Sequence, residues 1–129
     1  MNLGKYFENT SGFGVLATAD AEGHVDAAVY SRPHVIDDAT VAFIMADRLT
    51  HRNLTANPHA VYLFREASSG YTGKRLYLTK LREEQDSPAI EQLRRKEHGR
   101  GHDEQHIRFL VFFRVDKVLP LTGSEPATE

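Results

Sequence analysis

Short runs that alternate apolar and polar side chains, cut by polar turns, recur along this chain and leave it few folds. GFGVLATAD and AEGHVDAAVYSRP read as two strands joined at Asp20-Ala21-Glu22-Gly23, with glycine where a positive φ is expected. HVIDDATVAFIMA repeats the arrangement about a turn at Asp37 to Thr40, and AVYLFRE from Ala60 and GKRLYLTKLREE from Gly73 alternate in the same way. IRFLVFFRVDKVLPL, from Ile107, is the most apolar run. Its Phe109, Val111 and Phe113 fall on one face and Leu110 and Phe112 on the other, so both faces are expected to be covered, a partner subunit being one candidate cover for the second. Strands joined by tight turns favour an antiparallel meander, and the free edges of a meander favour closure. The expected class is mainly β (α+β): an antiparallel split β-barrel with a few flanking helices.

Three short helices accompany the strands. Leu3, Tyr6 and Phe7 share a helical face over residues 3–10, ahead of Ser11-Gly12. Ser87 and Pro88 suit an N-cap and a first helical position, and Ile90, Leu93 and Arg94 share a face before Gly99 and Gly101. Between them DRLTHRNLTANP reads as a helix capped by Thr50, with Leu54 facing the core, Asn57 as the stop and Pro58 preventing continuation. One domain over residues 1–122 and a disordered tail over 123–129 account for the chain.

Composition narrows the chemistry. With sixteen basic and eighteen acidic residues the net charge is only -2, so no global field draws the chain to nucleic acid or an anionic membrane, and any anion site must be local. The absence of cysteine removes thiol nucleophiles, zinc-thiolate sites and disulfides. No apolar stretch is long enough to span a bilayer and no export signal opens the sequence, so a cytoplasmic location is the expectation.

The local site is expected at residues 48–52. Acidic residues are the favoured occupants of a first helical turn, where free N-H groups carry partial positive charge; here His51 and Arg52 oppose that dipole, and Arg48 and the Thr50 hydroxyl lie beside them. Such a corner suits a phosphate. Ser31 and Arg32 interrupt their strand just before Pro33, which cannot donate to a ladder, so the sheet is expected to open there, close to Arg48 if this strand lies beside the one ending at Met45. The loop EASSGYTGKR is a flexible hairpin tip or a ligand flap, with Tyr71 able to stack and Lys74 or Arg75 able to reach a phosphate. His98, His102 and His106 recur every four residues, but Gly99 and Gly101 favour a solvated loop over a metal site. The adjacent pairs Asp37-Asp38 and Glu83-Glu84 read as solvated turn or strand-end residues.

In order of elements the chain resembles the pyridoxamine 5'-phosphate oxidase-like, FMN-binding split-barrel family, over about residues 3–121. The resemblance is most specific where a strand pair is followed by a polar turn at Thr50, a short helix containing Asn53-Leu54, and Asn57-Pro58 before the next strand. It implies a homodimer with FMN at the subunit interface. The flavin would lie along Ala28, Val29, Tyr30, Ser31, Arg32 and Pro33 and face Phe43 and Ile44; its phosphate would rest on Arg48, Leu49 and Thr50, with a later basic position at Lys74 or Arg75. The oxidases of the family carry R-x-V-L-L-K on the first strand and S-x-K at the turn. Ala28 and Pro33 replace the Arg and Lys, and Arg48-Leu49-Thr50 forms the turn, so cations have been moved rather than lost and flavin binding is implied rather than pyridoxine phosphate oxidation. The expected function is that of an FMN-dependent oxidoreductase acting on small molecules, with a nicotinamide or other small electron donor. The alternatives are a non-enzymatic flavin or electron-transfer module, and a haem-binding barrel using His98, His102 or His106.

Overall fold

The computed structural model describes residues 2–68, 70–96 and 107–123, with ten elements in the order α1 (Leu3–Asn9), β1 (Gly12–Ala19), β2 (Val25–Val29), β3 (His34–Asp37), β4 (Thr40–Ala46), α2 (Leu49–Ala56), β5 (His59–Glu66), β6 (Gly73–Gln85), α3 (Pro88–Lys96) and β7 (Arg108–Pro120). All seven strands join one antiparallel sheet in the order β2-β1-β5-β6-β7-β4-β3. Among the described residues no helix is long and apolar enough to cross a membrane.

The sheet is rolled. Phe43 on β4 and Tyr62 on β5 are separated by two strands along the sheet, yet their rings meet at 5.0 Å between centroids. Only a sheet curled on itself brings them into contact. Its inner face carries every second residue, including Leu16, Tyr62, Phe64, Leu76, Leu78, Val111 and Phe113, and α1 closes one opening with Leu3 and Phe7. The end strands β2 and β3 do not pair with each other, which leaves the barrel split.

Local chemistry explains the turn from β1 to β2. Asp20 Oδ1 accepts hydrogen bonds from the amides of Glu22 and His24, both at 2.9 Å, and Gly23 takes φ 87°, the left-handed conformation that favours glycine. Asn2 caps α1 by accepting from the Lys5 amide at 3.0 Å. α1 ends at Asn9, ahead of Ser11-Gly12; the chain passes Thr10 in extended conformation and enters β1 at Gly12. Gly14 has a packing reason: a Cβ there would collide with the hydroxyl end of Tyr62, whose O-H donates to the Tyr30 carbonyl at 3.1 Å.

The second face of β7 is covered from within the chain, because Ile90 and Leu93 of α3 pack on Leu110 and Phe112, and the Arg82 guanidinium lies 3.9 Å above the Phe112 ring. The face left bare is the outer side of β2, β1, β5 and β6. There Val29, Val15 and Leu63 stand in register with Arg75, and Ala27, Ala17 and Val61 with Tyr77; Phe13, Val25, Val29 and Leu63 are exposed. The expected run to Gly99 and Gly101, the histidines 98, 102 and 106, and most of the expected tail lie outside the described residues.

Candidate functional site

The ends of β2 and β4 face each other across the split, with α2 packed between them and β1. Buried Asn53 fastens the helix by donating from Nδ2 to Thr18 Oγ1 at 3.0 Å, and Leu54 enters the core. At the start of α2 is a hollow of ≈ 380 Å³, within the range of small-ligand sites, lined by Asp26, Ala28, Val29, Tyr30, Ile44, Met45, Ala46, Arg48, Leu49 and Thr50.

The helix start differs in detail from expectation. Arg48, not Thr50, occupies the cap position, in extended conformation and with no side-chain cap, while Thr50 lies one residue inside α2. The Arg48 amide donates back to the Ala46 carbonyl at 2.9 Å, and the first helical bond runs from the Arg52 amide to the Arg48 carbonyl at 3.0 Å. The amides of Leu49, Thr50 and His51 precede that bond, so they form the electropositive end of the helix. Buried Thr50 hydrogen-bonds Tyr30; burial raises the Tyr30 hydroxyl above its ordinary pKa, and the contact with Thr50 and the charge of Arg48 oppose that rise. The donor set, amides beside a guanidinium and a hydroxyl, fits a phosphate, and Ala28, Val29 and Ile44 supply an apolar flank for a ring.

Of the residues expected to bind a cofactor, Ala28, Val29, Tyr30, Ile44, Arg48, Leu49 and Thr50 meet in this hollow. Phe43 does not line it. Its ring is buried in the core between Tyr30, Tyr62 and Phe113, because the alternation of β4 turns it inward. β2 ends at Val29, and Ser31, Arg32 and Pro33 lie in the connection that follows. β2 and β4 are not sheet neighbours, so the condition that would bring Ser31 and Arg32 beside Arg48 is not met. The Arg32 guanidinium instead donates to the carbonyls of Phe7 at 2.6 Å and Thr10 at 2.9 Å, closing the end of α1, and with Pro33 it lines a separate hollow of ≈ 430 Å³ beside Glu8 and His34. Lys74 and Arg75 stand at the opposite end of the β6-β7 ladder from the end of β4. Lys74 Nζ lies 4.6 Å from the Tyr6 ring centroid, and Arg75 donates to the carbonyls of Pro120, at 2.9 Å, and Gly123.

Asp26, Met45 and Ala46 line the hollow without having been expected there. Period-two spacing from Ala28 and Tyr30 points to Asp26, whereas Met45 and Ala46 follow only from where β4 ends. His51 and Glu83 are the larger surprise. The imidazole is 7% exposed and stacked on Phe109 at 3.8 Å, with Nδ1 3.0 Å from Asp47 Oδ1 and Nε2 3.0 Å from Glu83 Oε1, which also accepts from Lys80 Nζ at 2.8 Å. Glu83 is therefore a half-buried member of an ion cluster rather than a solvated strand end, and His51, which opposes the helix dipole, is offset by carboxylates of the same chain.

Burial pushes the Glu83 carboxyl up, but hydrogen bonds from Lys80 and His51 outweigh it and hold the group below its ordinary value of 4.5. Its folded form thus binds a proton less readily than its unfolded form. The stabilisation Glu83 contributes is complete above that ordinary value and is lost as pH falls through it toward the lower folded-state value. Urea midpoints measured from pH 7 to pH 3 are expected to show Glu83→Gln less stable than wild type at neutral pH and the two converging in acid. A constant gap across the range would contradict this linkage.

No family model and no curated protein matches the sequence. Solved structures do. An F420 reductase has 16% sequence identity and a TM-score of 0.73, the match covering 88% of this chain and 94% of that one. An FMN-binding protein from Syntrophomonas wolfei has 19% identity and a TM-score of 0.73, covering 95% and 85%. A pyridoxamine 5'-phosphate oxidase-like protein from Lactobacillus delbrueckii has 17% identity and a TM-score of 0.64, covering 89% and 88%. The chain has the fold of the pyridoxamine 5'-phosphate oxidase-like split-barrel proteins.

Proposed function

We propose that this protein is an FMN-binding flavoprotein that serves as an oxidoreductase of small molecules. The observation that carries the reading is the uncapped start of α2 beside Arg48 and Thr50, at the mouth of a hollow whose other walls are mostly apolar. The phosphate would be held by the amides of the first turn, the Arg48 guanidinium and the Thr50 hydroxyl; charge-assisted hydrogen bonds of this kind are about twice as strong as neutral ones. The ring would lie toward Ala28, Val29 and Ile44. Bound flavin supplies the hydride and electron chemistry, and the chain's part is to hold and shield it. The flavin-binding names among proteins of the same fold support the choice of cofactor.

The absorption spectrum of the purified protein tests this. Flavin maxima that persist through dialysis, or that return with one equivalent of FMN per chain, are the expected result; a Soret band would replace the reading by haem, and a colourless protein indifferent to FMN would end it. Anaerobic reduction of the bound flavin by NADH or NADPH separates an enzyme from a storage or electron-transfer module.

The working form in this proposal is a homodimer joined through the bare outer face of β2, β1, β5 and β6. An apolar edge strand and the side chains of Phe13, Val25, Val29 and Leu63 left in water favour such an association. Within one chain Lys74 and Arg75 are remote from the hollow, so a second copy is what would bring them to a flavin. Leu63→Glu is expected to lower the mass in solution from twice the chain mass to the 14.6 kDa of one chain, measured by light scattering, because a buried carboxylate on each copy opposes docking. Arg75, directly opposite Leu63 on β6, offers a counter-charge that lets the monomer keep its fold, visible as an unchanged far-ultraviolet dichroism spectrum. A wild-type monomer, or a dimer that survives the substitution, would contradict this surface.

A further inference from the structure

The start of α2 is unusual in having a carboxylate one residue before its cap and no side chain capping it. Aspartate is among the preferred cappers of helical N-termini, and the free amides of a first turn attract any carboxylate within reach. Asp47 is not so used because His51 holds it: the imidazole Nδ1 lies 3.0 Å from Asp47 Oδ1. His51 is in turn fixed from two other elements. Glu83 of β6 engages Nε2 at 3.0 Å and is itself held by Lys80, and Phe109 of β7 stacks on the ring at 3.8 Å with planes inclined by 13°. Both imidazole contacts are hydrogen bonds only when each ring nitrogen carries a hydrogen, and in that form the four groups Asp47, His51, Glu83 and Lys80 balance in charge.

We infer that His51 is a positioning residue for the anion site, one that draws the Asp47 carboxylate away from the first-turn amides of α2 and so keeps them open to a phosphate. This rests on the flavin-phosphate reading above. Released, Asp47 would cap the helix from within, consuming the donors a phosphate needs and setting a negative charge against a dianion. The same side chain is thus harmless or inhibitory according to which neighbour holds it. Asp47 is more than half exposed and free to turn, whereas His51 is locked by packing, so the histidine decides the arrangement.

The test is a set of three variants with FMN binding followed by fluorescence quenching. His51→Phe keeps the stack on Phe109 and removes both N-H groups; its FMN dissociation constant is expected to rise about tenfold. Asp47→Ala added to His51→Phe is expected to return binding to within about threefold of wild type, which a merely structural role for His51 would not do. Asp47→Ala alone alters an exposed side chain, keeps the fold, and is expected to bind FMN at least as tightly as wild type. The amide shifts of Leu49 and Thr50 without ligand are a separate readout: they should move in His51→Phe and return in the double variant. If wild type ignores FMN while those shifts move and return, the flavin reading falls and the restraint on Asp47 stands. No recovery in the double variant, or weaker binding by Asp47→Ala alone, overturns the inference.

Discussion

Arg48→Ala combined with Thr50→Val is expected to weaken FMN binding by about 100-fold or more, since each substitution removes a hydrogen bond to a charged group worth about 1.5–3 kcal/mol. Valine preserves the branched shape of buried Thr50 while deleting its hydroxyl, so the loss is chemical rather than a packing defect. The first-turn amides remain in the double variant, which is why residual binding is expected and why both side chains are changed together. Arg52 serves as a control. It is exposed, does not line the hollow, and its replacement by alanine is expected to change affinity by less than about threefold, as long-range exposed charges are screened. Fluorescence titration of FMN into the variants decides the matter. Affinity within threefold of wild type in the Arg48/Thr50 variant would show that the phosphate is held elsewhere.

Tyr62→Ala should have the largest effect on stability, about 3–5 kcal/mol. Tyr62 is fully buried and its ring contacts those of Phe7, Phe43 and Phe64, so truncation opens a cavity where β4, β5 and α1 meet. It also strands the Tyr30 carbonyl that accepts from its hydroxyl. Tyr62→Phe separates the two contributions, because it keeps the ring and loses only the hydrogen bond, at a cost of about 0.5–1.5 kcal/mol. Urea midpoints at fixed protein concentration measure both. Equal losses for Phe and Ala would mean that the hydroxyl, not the ring, holds this region together. Tyr30 leads from Tyr62 to Thr50, so Tyr62→Phe is also expected to loosen the wall of the hollow without removing any residue that lines it.

Legibility was uneven, and it followed the distance over which each signal acts. The turn at Asp20 to Gly23 could be read because its carboxylate, its amides and its positive-φ glycine are neighbours in sequence. The strands were readable because alternation is a property of consecutive residues, and so was the cation-rich start of α2, whose anomaly is a basic first turn. Arg48 proved to be the cap in place of Thr50, a difference of two residues that no local propensity decides. The role of Arg32 is not legible for a different reason. A guanidinium near an anion site and one closing a helix look identical in sequence, and only the path of the chain delivered the carbonyls of Phe7 and Thr10 to it. Glu83 looked solvated since its partner His51 is 32 residues away.

By itself, then, the sequence determined the class of fold, the alternating faces of its strands, the turns, and the presence of a cation-rich helix start. Each of these depends on backbone preferences and side-chain spacing within a few residues. Tertiary structure alone decided that α3 covers the second face of β7, that Phe43 turns inward, that Lys74 and Arg75 stand far from the hollow, and that His51 is held between Asp47, just before α2, and Glu83 of β6. Those outcomes depend on which strands become neighbours when the sheet rolls, a choice made by burial of the whole apolar surface at once.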